Sequence, residues 1–223
     1  MKLPLIIVNF KSYAEGTGDN ALKIARICKQ LSEKHGVNIT IAPQDADIFR
    51  ISSELKIPIF AQSIEPIEPG AYTGHELALA AKKAGAVGTL INHSENRLNL
   101  EEIKRSIDIA KRNKLVTVIC TPEIELAKKI AKFKPDFIAY EIPELIGTGR
   151  AISKIKPNSV KNFVEIVSNI DPEIIPLCGA GISTGEDIKT AIELGVKGVI
   201  VASAVVKSRD PKIVLEDLIR GVY

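Results

Sequence analysis

Eight times along the 223-residue chain an apolar, β-branched run gives way to an amphipathic stretch. The repeat is about 28 residues, close to the ~30 of a strand, its crossover helix and two short loops. The runs are Leu5 to Asn9, Asn38 to Ala42, Pro58 to Gln62, Val87 to Asn92, Val116 to Cys120, Phe137 to Glu141, Ile174 to Cys178 and Gly198 to Val201. None alternates strictly between apolar and polar, so each is expected to be covered on both faces, as in a parallel sheet. Between the runs lie helical patterns. Ala21, Leu22, Ile24, Ala25, Cys28 and Leu31 form one apolar stripe on a helix that should end before Gly36. Asn99 with Glu102 spells a capping box ahead of Ile103 and Ile107.

Eight such units imply closure into an eight-stranded parallel (β/α)8 barrel spanning residues 1–223 as one domain. An open doubly wound sheet is the alternative, and strand count alone does not choose. The loops favour the barrel. Phosphate sites on such barrels are built after strands seven and eight, where this chain has Gly179-Ala180-Gly181-Ile182-Ser183 and Ala202-Ser203-Ala204.

Hydrophobic residues are 45% of the chain and charged residues 26%, enough apolar content for a core. Thirty cationic and 27 anionic side chains nearly cancel, and no basic run is present, so a nucleic-acid partner is not expected. Cys28, Cys120 and Cys178 are odd in number and far apart, which argues against a disulfide framework or a zinc site and for a reducing cytoplasm. No run of about 18 apolar residues marks a membrane span.

Several runs end in polar residues, and strand ends of a closed parallel barrel meet over one pocket. His93 is either a core or surface histidine or, beside the donors of the next turn, a neutral imidazole able to polarise a carbonyl. Glu141 is either a salt-bridged strand end or a carboxylate that a closing loop would shield from water. Lys11 is either a solvated charge or a cation at the same mouth, with Asn9 beside it. Gly147-Thr148-Gly149, Gly181 to Ser183 and Ala202-Ser203 are small-residue turns without Asp or Glu, suited to backbone recognition of an anion. Singly each is an ordinary connection; on one rim they make a phosphate cradle.

These residues stand in an order that resembles the triosephosphate isomerases, and the short length resembles their archaeal branch. The resemblance rests on Asn9-Phe10-Lys11, Gly70-Ala71-Tyr72-Thr73-Gly74, Asn92-His93-Ser94-Glu95, Ala139-Tyr140-Glu141 and Ile146-Gly147-Thr148-Gly149. It implies a TIM barrel that interconverts dihydroxyacetone phosphate and glyceraldehyde 3-phosphate through an enediolate, without metal or cofactor. Glu141 would be the base, His93 the electrophile, Lys11 the cation and Asn9 an oxyanion contact. Substrate would also meet Phe10, the backbone at Ile146 or Gly147, Gly181, Ser183, Ala202 and Ser203. Glu95 would support Lys11 or a neighbouring subunit. The segment Ser63 to Glu76 would insert into a partner, bringing Thr73 to its Asn9 and Lys11. Trimmed outer helices favour a homotetramer over a dimer. Ile142-Pro143-Glu144 replaces the Pro-Val-Trp usual in larger relatives. Two rival functions stand beside this one: an aldolase on the same barrel, which wants a lysine for a Schiff base, and a silent phosphate-binding barrel.

Overall fold

Side chains that branch at Cβ fill the space on both sides of a pleated strand, and the eight runs use them so. The structure, a computed structural model, describes residues 3–223. Strands β1 (Leu5–Asn9), β2 (Asn38–Ala42), β3 (Phe60–Ala61), β4 (Gly88–Ile91), β5 (Val116–Thr121), β6 (Phe137–Tyr140), β7 (Ile175–Cys178) and β8 (Gly198–Val201) form one parallel sheet. Its order is β2-β1-β8-β7-β6-β5-β4-β3. Each strand therefore lies beside its neighbours in sequence, and β1 pairs with both β2 and β8. The remaining seam is bridged where Ile41 meets Ile59 and the Ile41 N–H donates to the Pro58 carbonyl at 3.1 Å. Closure follows, and the open sheet is excluded.

Strand β3 is shorter than the expected Pro58 to Gln62. Pro58 has no N–H to give to a ladder, so pairing there is reduced to a bridge. Strand β6 ends at Tyr140 rather than Glu141, although the Glu141 N–H still donates to Thr121 at 3.0 Å.

Helices α1 (Asp19–His35), α2 (Asp45–Glu54), α3 (Ala78–Ala84), α4 (Leu100–Arg112) and α5 (Ile124–Ala131) cover the first half of the barrel. Helices α6 (Ile152–Ile155), α7 (Pro157–Ile170), α8 (Gly185–Glu193), α9 (Ser203–Val206) and α10 (Pro211–Arg220) cover the second. The stripe expected on α1 is the buried one, and the helix stops where the Gly36 N–H returns to Ser32. The Asn99–Glu102 capping box opens α4. Helices α3 and α5 have only 7 and 8 residues.

The core has two shells. Leu5, Ile7, Phe60, Leu90, Val118, Phe137, Ala139, Leu177 and Ile200 fill the barrel lumen. Ile6, Val8, Ile39, Ile41, Ile91, Ile138 and Val199 face the helices. On that outer side Tyr140 stacks on Phe163 of α7, with centroids 5.3 Å apart, a contact worth about 1 kcal/mol beyond its buried area.

Candidate active site

Strand parity decides what reaches the carboxyl-end mouth of the barrel. Leu5 and Ile7 point into the lumen, so Asn9 continues that row. Phe137 and Ala139 do the same for Glu141. On β4 the parity is broken: Leu90 is in the lumen and Ile91 outside, so a regular strand would send residue 93 outward. Asn92 instead has φ 60°, and its left-handed turn aims His93 at the mouth. Asn92 is held by its own side chain, which donates to the Cys120 carbonyl at 2.8 Å and accepts from the Leu98 N–H at 2.9 Å.

Asn9, Lys11, His93 and Glu141 line one cavity of about 360 Å³ together with Ile146, Gly147, Gly181, Ser183, Ala202 and Ser203. Phe10 is the exception among the residues expected there. It falls on the outward row with Ile6 and Val8, is 0% exposed, and packs in the outer core. Its side chain therefore anchors the turn from beneath and makes no cavity wall.

Glu141 is 4% exposed, and its Oε2 has no hydrogen-bond partner. A buried, unpaired carboxylate oxygen is costly, which marks it as a group with work outside the fold. His93 Nε2 lies 3.8 Å away, near but beyond hydrogen-bond reach. The Glu95 N–H donates to His93 Nδ1 at 3.2 Å. A ring nitrogen that accepts has no proton, so the neutral ring carries its proton on Nε2, toward the cavity. Below the carboxylate, burial raises the thiols of Cys120 and Cys178, and the charge of Glu141 raises them further. That of Cys178 is pushed up to about 12, so it stays a neutral wall.

Lys11 is 7% exposed and has φ 50°. Its N–H donates to Asn9 Oδ1 at 3.0 Å, and its ammonium meets Glu95 Oε1 at 2.5 Å. That ion pair is one of the two roles the resemblance gave Glu95, and it leaves the Glu95 side chain 56% exposed. Gln62, which the sequence reading did not single out, donates from Nε2 to the carbonyls of Lys11 and Ala42 at 2.9 and 3.0 Å.

The opposite wall is backbone. Gly147 and Gly149 have φ of 74° and 70°, and Thr148 Oγ1 donates to the Leu145 carbonyl at 2.8 Å. The Ile146 N–H is already committed to Pro143 at 3.1 Å, which leaves Gly147 the better of the two expected backbone donors. Gly181 has φ 73°, and a Cβ there would strike the Arg150 carbonyl. Glycine thus lets the loops after β6 and β7 touch, joined by the Ile152 N–H to Ala180 O at 3.2 Å. The first turn of α9, which no side chain caps, closes the cradle at Ala202 and Ser203.

Aldolase chemistry finds no support here: Lys156 and Lys197 do not line the cavity, and Lys11, which does, is an ion-paired ammonium held by Glu95. Among the described residues no group of three or more His, Cys, Asp or Glu is placed to share a metal, and no helix is long and apolar enough to cross a membrane.

The family model described as triosephosphate isomerase matches residues 4–221. A triosephosphate isomerase of Methanosarcina barkeri is 50% identical over 220 residues, 99% of each chain. One from Methanobacterium bryantii is 51% identical over 219 residues, 98% of this chain and 97% of its own length. The crystal structure of triosephosphate isomerase from Bartonella henselae superposes with a TM-score of 0.76 at 20% identity, over 98% of this chain and 97% of that one; at that identity it speaks for the barrel alone.

Proposed function

The chain belongs to the triosephosphate isomerase family, and from that membership we propose how its residues divide the work of interconverting dihydroxyacetone phosphate and D-glyceraldehyde 3-phosphate, a step of glycolysis. The unpartnered Oε2 of Glu141, facing His93 across the cavity, carries the reading.

Glu141 takes the proton from the carbon beside the substrate carbonyl. The C–H electron pair moves into a carbon–carbon double bond, and the carbonyl oxygen becomes the oxyanion of an enediolate. His93 donates its Nε2 proton to that oxygen, takes one from the neighbouring hydroxyl, and so exchanges the two oxygens' roles. Glu141 then returns its proton to the other carbon, with no net change in atoms. Lys11 and Asn9 meet the negative charge as it develops, which favours the transition state over the ground state. The phosphate rests on backbone at Gly147, Gly181, Ala202 and Ser203, beside Ser183, whose N–H and hydroxyl are both taken by Asp187, and the loop after β6 covers it.

The chain works as a homo-oligomer, with a tetramer favoured, in the cytoplasm. The loop of residues 63–76 supports this reading: it is tied down by Arg105 to the Pro66 carbonyl at 3.0 Å and by Ser63 to Glu76 at 2.5 Å, yet leaves Tyr72 49% exposed.

A coupled assay with no cofactor beyond the one the coupling enzyme consumes tests the chemistry. Glu141→Gln should lower kcat by roughly 10² to 10⁴ while retaining competitive inhibition by inorganic phosphate. Wild-type turnover in the variant, or trapping of a substrate adduct by borohydride, would overturn the assignment.

A further inference from the structure

One ion pair lies just outside the cavity and is used by no step above. Asp187, 3% exposed, sits in the first turn of α8 and accepts four hydrogen bonds. Its Oδ2 takes the N–H of Ser183 at 3.0 Å, the hydroxyl of Ser183 at 3.2 Å and the N–H of Thr184 at 2.9 Å. Its Oδ1 meets Lys154 Nζ at 2.6 Å. The Ser153 hydroxyl also donates to the Asp187 carbonyl, at 3.2 Å.

A capping box needs only the reciprocal bonds with Thr184. The bonds to Ser183 and Lys154 exceed that need. Ser183 lines the cavity, and Lys154 belongs to α6, the segment that ends the loop after β6. One carboxylate therefore fastens both loops that border the anion cradle. Burial alone would raise the Asp187 carboxyl, but Lys154 and the Ser183 and Thr184 donors outweigh it and hold it below the ordinary 3.8. It is ionised at neutral pH, and an anion beside a phosphate-binding turn is a liability unless cancelled.

We propose that Asp187 is a positioning residue that fixes the turn carrying Gly181 beside the substrate phosphate by taking both donors of Ser183, and that Lys154 neutralises Asp187 so that the phosphate is not repelled. This rests on the reading of the turn from Gly181 to Ser183 as part of the phosphate cradle. The arrangement lets a carboxylate order the turn without imposing its charge on the ligand.

Steady-state kinetics of the full chain with inorganic phosphate as competitive inhibitor test it. Lys154→Met leaves the carboxylate uncancelled and should raise both KM and the phosphate Ki about fivefold at low salt, with kcat changed by less than about twofold and the effect shrinking as ionic strength rises. Lys154→Arg should restore wild-type values. The double variant Lys154→Met with Asp187→Asn removes both charges, keeps an amide oxygen to accept from the turn's N–H groups, and should bring Ki back toward wild type. A purely structural cap predicts the reverse order, with the double variant worst. The proposal fails if Lys154→Met leaves Ki unchanged or if the double variant binds phosphate no better than the single one. Absence of phosphate competition in the wild-type enzyme would instead overturn the cradle and the proposal with it.

Discussion

Gly179 lies directly beneath the Glu141 carboxylate: a methyl group built on it would overlap Oε1 and come within 2.9 Å of Cγ and Cδ. Each residue directly follows the end of one of two adjacent strands, and the Gly179 N–H donates to the Tyr140 carbonyl at 3.0 Å, locking the two strand ends in register. The obstructed atoms are the far end of a flexible side chain, so Gly179→Ala should fold and push the carboxylate aside. A displacement of about 1 Å costs on the order of 10²-fold in rate. The expected result is a kcat loss of that size with a melting temperature close to wild type, measured by the coupled assay and calorimetry.

Gln62 should matter to catalysis without touching substrate. Its amide fastens the Lys11 carbonyl to the end of β2, and Lys11 holds the left-handed conformation that sets its ammonium over the mouth. Gln62→Ala should cost about 1 kcal/mol of stability per hydrogen bond lost and raise KM. Gln62→Glu should be worse, since a carboxylate has no proton for either carbonyl. Chemical denaturation read beside kinetics separates the two effects.

Acid should loosen the same region through Asp187. Its folded-state pKa lies below the 3.8 of the unfolded chain, because Lys154, Ser183 and Thr184 outweigh burial. A depressed carboxyl contributes stability that is complete above pH 3.8 and is lost as pH falls through the lower folded value. Asp187→Asn should therefore narrow its stability deficit relative to wild type as pH drops below about 4. A constant deficit from pH 7 to pH 3 would contradict this.

Assembly and activity should fall together. Thr73, at the exposed tip of the loop beside Tyr72, is the residue expected to approach a partner's Asn9 and Lys11. Thr73→Arg should lower the mass seen by light scattering and reduce kcat in parallel. An unchanged kcat in a smaller species would separate the site from the interface.

The eight runs, the stripe on α1, the capping box of α4 and the three small-residue turns were readable because each depends on neighbours within a few residues. The same parity rule also places Phe10 outside the cavity. His93 does not follow from parity, since its direction comes from the left-handed Asn92, a conformation that requires a carbonyl on β5 and an N–H at Leu98 to hold it. Asp187 stood in a Thr-x-x-Asp capping pattern, but its partner Lys154 is 33 residues away.

By itself, then, the order of residues determined the strands, the helices, the barrel they could close into and the chemical groups at the strand ends, because periodicity and turn chemistry act over short range. Tertiary structure alone decided that Oε2 of Glu141 stands without a hydrogen-bond partner 3.8 Å from His93, that Gln62 holds Lys11 and that Lys154 pairs with Asp187. Those distances are set by the closure of the barrel, which brings together atoms that nothing in local sequence connects.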